Sequence, residues 1–272
     1  MTFNERLLAG WTQRRTMLCV GLDPEPDRLP GAWAGRADRI GEFCRAIVDA
    51  TADLVCAFKP QIAFFAAHSA EDELEAVISH IRAVAPEVPV ILDAKRGDIG
   101  STAEQYAREA FDRYGADAVT INPYLGLDTI EPFAERAART GGGLFVLCRT
   151  SNPGSGDFQD LLVDGEPLYQ RVARAVVARF DVAGLVVGAT YSEQLAAVRA
   201  IAPDAPILVP GVGAQRGDLV GAVHAGATEV GGLIVSSSRA VLYASSNADF
   251  ADASRLVAST TRDAIEAARL SG

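Results

Sequence analysis

Short apolar runs rich in valine, isoleucine and leucine recur along the chain, and amphipathic stretches separate them. The runs fall at Leu18–Leu22, Leu54–Phe58, Val88–Leu92, Ala118–Ile121, Leu144–Leu147, Gly184–Val187, Ile207–Val209 and Leu233–Ser236. Continuous apolarity, rather than alternation, predicts parallel strands covered on both faces. Between them, helical spacing predicts helices over Ile40–Thr51, Ala70–Val84, Ser101–Tyr114, Thr129–Arg139, Leu168–Arg179, Ser192–Ala202 and Gly217–His224. One helix, about Phe3–Arg14, precedes the first strand, and another, Asp249–Leu270, closes the chain. Eight strands alternating with helices predict an α/β fold, a (β/α)₈ TIM barrel forming a single domain over residues 1–272. A chain of 272 residues suits that architecture, which typically takes about 250. A doubly wound open sheet would favour a GxGxxG turn after the first strand, where this chain has Gly21-Leu22-Asp23-Pro24.

Composition narrows the setting. No apolar run approaches the roughly 20 residues of a membrane helix. The formal net charge of −10 argues against non-specific binding to nucleic acid or to anionic membranes. The first fifteen residues mix Glu5, Arg6, Arg14 and Arg15 with apolar residues and lack a signal-peptide core, so a cytoplasmic location is expected. Cys19, Cys44, Cys56 and Cys148 are scattered without a CxxC pair, and His68, His80 and His224 form no ligand-spaced cluster. The cysteines therefore read as reduced, buried thiols, and no zinc site is expected.

A further count concerns chemistry. Of 25 basic residues only two are lysines, Lys59 and Lys95. An arginine-rich composition explains the count but not the positions. In a barrel, chemistry sits where strands end and βα loops begin. Those ends carry Asp23, Lys59, Asp93 with Lys95, Asn122, Arg149 to Asn152, Thr190, Pro210 to Gln215, and Arg239. Both lysines fall there, where a compact ammonium does what a planar guanidinium cannot. Asp93 and Lys95 lie two apart on an extended chain and project the same way, and Asp98 follows after Gly97. Neighbouring carboxylates keep a lysine protonated. A purely structural ion network is the alternative, but this chain otherwise builds with arginine, and burying several charges is a weak source of stability.

A second signature concerns an anion. Barrels often bind phosphate with the loops after strands seven and eight. Here strand seven leads into Pro210-Gly211-Val212-Gly213-Ala214-Gln215-Arg216-Gly217, and strand eight into Ser236-Ser237-Ser238-Arg239. Glycine-rich backbone amides and one guanidinium suit a phosphate. The long polar connection Thr150–Glu166 reads as a binding loop or lid. These features together describe a barrel enzyme acting on a small phosphorylated molecule, with no sign of a redox or nucleotide cofactor fold.

The chain resembles the orotidine 5′-monophosphate decarboxylase family in its longer bacterial branch. The resemblance rests on Gly21-Leu22-Asp23-Pro24, Phe58-Lys59-Pro60, Leu92-Asp93-Ala94-Lys95-Arg96-Gly97-Asp98-Ile99, Thr150-Ser151-Asn152-Pro153-Gly154, Pro210 to Gln215 and Ser238-Arg239, in that order. It implies cofactor-free decarboxylation to uridine 5′-monophosphate in pyrimidine biosynthesis, and a homodimer with shared sites. Lys95 would stabilise and protonate the C6 carbanion, with Asp93 near the departing carboxylate. Lys59 and Asp98 would complete the charge network, Asp98 from the partner subunit. Asp23, Lys59 and Thr102 would contact ribose, Thr102 across the interface, and Ser151 the pyrimidine. Gln215 and Arg239, with amides near Gly213 and Gly232, would hold the phosphate. Three rivals remain open at this point: a metal-dependent sugar-phosphate decarboxylase or epimerase, a Schiff-base aldolase, and a non-catalytic phosphate-binding barrel.

Overall fold

The structure is a computed structural model that describes residues 1–190, 192–211 and 218–271. Eight parallel strands carry it: β1 (Leu18–Leu22), β2 (Ala57–Pro60), β3 (Ile91–Arg96), β4 (Ala118–Ile121), β5 (Gly143–Arg149), β6 (Ala183–Val187), β7 (Ile207–Val209) and β8 (Leu233–Ser237). They pair in the order β2-β1-β8-β7-β6-β5-β4-β3. Parallel bridges Phe58–Val90 and Gln61–Asp93 then join β2 to β3, so the sheet closes into a barrel.

One apolar residue from each strand fills the interior: Cys19, Ala57, Ile91, Ala118, Phe145, Val186, Leu208 and Ile234. Such a barrel is a packed core rather than a pore. Its floor is stoppered by the N-terminal helix Phe3–Thr12, whose Phe3 and Leu7 join that inner cluster. Thr2 and Glu5 cap this helix reciprocally. Phe3 meets the Phe145 ring edge to face at 5.8 Å, and Trp11 Nε1 donates to the Leu233 carbonyl at 2.8 Å. The larger apolar cluster lies between the strands and the outer helices. Among the described residues, no helix is long and apolar enough to cross a membrane.

Helix Ile40–Thr51 matches its expected bounds, and the other helices shift by a few residues. Several strands run further than hydrophobicity indicates, β5 to Arg149 and β8 to Ser237 among them, and two of the extensions build the site. β2 extends to Pro60 instead of ending at Phe58, and β3 to Arg96 instead of Leu92. In both, the added residues carry charge (Lys59; Asp93, Lys95 and Arg96), so the apolar signal stops while the ladder continues. The expected helix Ser101–Tyr114 is α-helical over Gly100–Arg108 and widens into a π turn at Glu109–Arg113. The Thr150–Glu166 connection is partly ordered, with a short helix at Gly156–Gln159 and a hairpin pairing Leu162–Val163 with Glu166–Pro167. Asp164 and Gly165 turn that hairpin with φ of 56° and 83°, the left-handed pair that a two-residue loop requires.

Candidate active site

The carboxyl ends of β2, β3 and β4 meet at the barrel mouth. Pairing of β3 with β4 shifts register between Leu92 and Arg96, and Lys95 sits there at φ 46°. That left-handed conformation is strained for a side-chain-bearing residue and is typical of functional sites. Thr120 on β4 supports it, because its Oγ1 accepts from the amides of Ala94 at 3.0 Å and Lys95 at 2.9 Å. The same hydroxyl donates its proton to Asp93 Oδ1 at 2.8 Å. The backbone irregularity thus aims Lys95 back over Asp93.

Asp93 is shared by both lysines. Lys59 Nζ donates to its Oδ2 at 3.0 Å, and Lys95 Nζ to its Oδ1 at 2.7 Å. Lys59 is only 4% exposed and Asp93 is buried, whereas Lys95 reaches solvent. Burial alone would raise the Asp93 carboxyl, but the Lys59 and Lys95 ammonium groups overcome it and hold it well below the usual carboxylate range. Burial alone would likewise lower Lys59, yet Asp93 and Asp23 hold it above its ordinary value. Lys59, Asp93 and Lys95 thus form a row in which the buried Lys59 and Asp93 keep opposite charges across neutral pH.

Two cavities open from this row and share Lys59, Asp93, Lys95 and Pro210. The larger, about 460 Å³, is bounded by Thr120 and by Ser151, Asn152 and Gln159 of the long connection. Ser151 fits there because Gly188, just beyond β6, lacks a side chain: a Cβ would lie 2.7 Å from Ser151 Cβ. The smaller reaches Asp23, Gln61, Ser238 and Arg239. Gly21 in β1 makes room for it, since a Cβ would overlap Ser238 Oγ. Asp23 Oδ1 is buried without a hydrogen-bond donor among the described residues. A ligand hydroxyl would satisfy that oxygen.

The geometry thus joins Lys59, Asp93 and Lys95 directly and places Asp23, Ser151 and Arg239 around them. Asp98 and Thr102 stand apart. Asp98 accepts from the Ile99 amide at 2.8 Å, Thr102 is exposed on the helix Gly100–Arg108, and neither lines either cavity. Gly232 requires correction. It precedes β8 at the opposite end of the barrel, where its carbonyl accepts from Arg199 Nη2 at 2.9 Å and from the Ile207 amide at 3.0 Å. A glycine at the entry of a strand cannot face a ligand held where that strand leaves. Gly213 and Gln215, with Arg216, lie outside the described residues. Thr120 was not anticipated from the sequence; the signal was a lone hydroxyl near the end of an otherwise apolar strand. Among the described residues, no three His, Cys, Asp or Glu side chains are grouped to hold a metal ion.

Comparison with known proteins agrees with this architecture. The family model described as "Orotidine 5'-phosphate decarboxylase / HUMPS family" matches residues 16–253. An orotidine 5′-phosphate decarboxylase from Azoarcus sp. (strain BH72) is 59% identical over 273 residues, covering 99% of this chain and 100% of the relative. One from Polaromonas naphthalenivorans (strain CJ2) is 58% identical over 276 residues, covering 99% of this chain and 97% of the relative. Among solved structures, the OMP decarboxylase of Leishmania donovani superposes with a TM-score of 0.85 at 37% identity, over 100% of both chains.

Proposed function

Because the chain belongs to the orotidine 5′-phosphate decarboxylase / HUMPS family, we propose that it converts orotidine 5′-monophosphate to uridine 5′-monophosphate and CO₂, a step of pyrimidine biosynthesis. The observation that carries the mechanism is the Lys59–Asp93–Lys95 row at the barrel mouth.

Breaking the bond from C6 to its carboxylate leaves an electron pair in an sp² orbital that the ring π system cannot delocalise. Preorganised charge must stabilise it. Lys95 is the group suited to this: exposed enough to meet the pyrimidine, aimed by Thr120, and anchored by Asp93. Its ammonium lies beside the developing carbanion and then gives a proton to C6, and solvent restores that proton. Asp93 stays ionised beside the departing carboxylate. Lys59, held protonated, fixes Asp93 from the other side and with Asp23 receives ribose hydroxyls. Ser151 contacts the pyrimidine, and Arg239 and the Gly213–Gln215 loop hold the phosphate. Asp98 and Thr102, which face neither cavity of their own chain, fit a role across a homodimer interface. The setting is cytoplasmic, and the ligand is the nucleotide alone.

A metal-dependent sugar-phosphate reaction is the weaker reading. It wants carboxylate or histidine ligands at strand ends, and β2 instead carries Lys59 near its end while β4 leads into Asn122. A Schiff-base lysine needs a lowered pKa, and Lys59 moves the other way. The direct test follows the orotate chromophore as purified protein acts on orotidine 5′-monophosphate without added cofactor. Rapid loss is expected, and Lys95→Ala reduces it by at least about a hundredfold. An inactive wild type, or a variant with ordinary turnover, overturns the proposal.

A further inference from the structure

The connection that carries Ser151 is fastened from below by a buried guanidinium. Arg149 ends β5 and is 3% exposed. The pairing of β5 with β6 shifts register between Leu147 and Arg149, the same kind of irregularity that aims Lys95. Its Nη1 donates to the Thr150 carbonyl and to Gln159 Oε1, both at 3.2 Å, and its Nη2 donates to Asp160 Oδ2 at 3.0 Å. Gln159 Oε1 also accepts from the Thr150 amide at 2.9 Å, and its Nε2 donates to Thr150 Oγ1 at 2.9 Å. Thr150 passes its own proton to Asn152 Oδ1 at 2.6 Å. One buried residue therefore ties both ends of the segment Thr150–Asp160 together, with Ser151 between them.

We infer that Arg149 is a positioning residue that holds the base-facing wall of the site, acting through Gln159 and Asp160. Three features of the arrangement support this. Thr150, Ser151, Asn152 and Gln159 all line the larger cavity, whereas Asp160 lines neither cavity. The donors on Arg149 and on the Thr150 amide dictate which atom of the Gln159 amide is oxygen, and this orientation propagates through Thr150 to Asn152. Ser238 and Arg239, the latter proposed above to hold the phosphate, both follow β8 and line the smaller cavity, outside the fastened segment. Loosening the fastening disorders the wall toward the base while leaving the phosphate side intact.

The inference rests on the nucleotide reading above and is tested separately from it by binding. Isothermal titration calorimetry compares uridine 5′-monophosphate, which has a base, with ribose 5-phosphate, which has none. Asp160→Ala and Gln159→Ala are expected to weaken the nucleotide between about threefold and tenfold, the range of one or two lost hydrogen bonds, with ribose 5-phosphate unchanged. Asp160→Asn keeps an acceptor for Arg149 Nη2 and recovers most of the loss. In turnover, Asp160→Ala raises KM by a similar factor and leaves kcat nearly as it was. Unchanged nucleotide affinity in both alanine variants overturns the inference. Equal weakening of both ligands does so too, as does failure of Asp160→Asn to improve on Asp160→Ala. A wild type that binds the nucleotide but never decarboxylates sinks the catalytic reading and leaves this one standing.

Discussion

Lys95 turns back onto Asp93, two residues earlier in the same strand, and meets it at 2.7 Å from a backbone held at φ 46°. The Thr120 hydroxyl makes this possible, receiving two amide protons and giving its own to Asp93. Thr120→Val keeps the shape and removes all three hydrogen bonds. The expected stability loss is about 1–3 kcal/mol, that of buried groups left unpaired. Because Lys95 is no longer aimed, kcat falls more than KM rises, and Thr120→Ser restores both. Chemical denaturation with steady-state kinetics checks this; a valine variant with unchanged kcat would refute the role of Thr120.

The pH response follows from the two buried charges. Asp93 has its folded carboxyl held low by Lys59 and Lys95 in spite of burial. Its stabilising contribution is complete above the unfolded value of about 3.9 and is lost as pH falls through the lower folded value. Lys59 is raised, so its contribution is complete below about 10.4 and is lost as pH rises past its folded value. The stability gap between wild type and Asp93→Asn is therefore flat between about pH 5 and 9 and narrows in acid and in strong base. Urea midpoints across that span measure it. A gap that already closes near neutral pH would show that Asp93 titrates there and is not held by its lysines.

The proposed homodimer with shared sites is testable with mixed dimers. Lys95→Ala and Asp98→Ala chains, each inactive alone, are coexpressed under different tags and purified as the mixed species. If Asp98 acts across the interface, each mixed dimer holds one intact site and regains activity. No recovery would place Asp98 in service of its own chain.

Gly188 leaves the space that Ser151 occupies. Gly188→Ala forces the Thr150–Asn152 turn outward. We expect KM for the nucleotide to rise several-fold while affinity for inorganic phosphate stays as in wild type. Loss of both together would instead mean general damage to the barrel.

Much of this was readable beforehand, for identifiable reasons. Parallel strands buried on both faces announce themselves as unbroken Val, Ile and Leu runs, and all eight were located. The two lysines stood out because an arginine-rich chain uses them so sparingly. Strand ends carrying charge were cut short, as at Lys59 and Lys95, because apolarity stops where the chemistry starts. Thr120 escaped notice, and Arg149 was singled out only as a strand-end residue, for a related reason: their work is to hold other residues, and only contacts across the fold reveal it. Gly232 was misplaced by proximity in sequence to β8, when what matters is which end of a strand a residue occupies.

The stopper formed by Phe3 and Leu7 fills the barrel floor, on the side away from the cavities lined by Lys59, Asp93 and Lys95. In the proposed reaction, carbon dioxide released beside Asp93 would therefore leave upward, by the mouth that also admits the nucleotide.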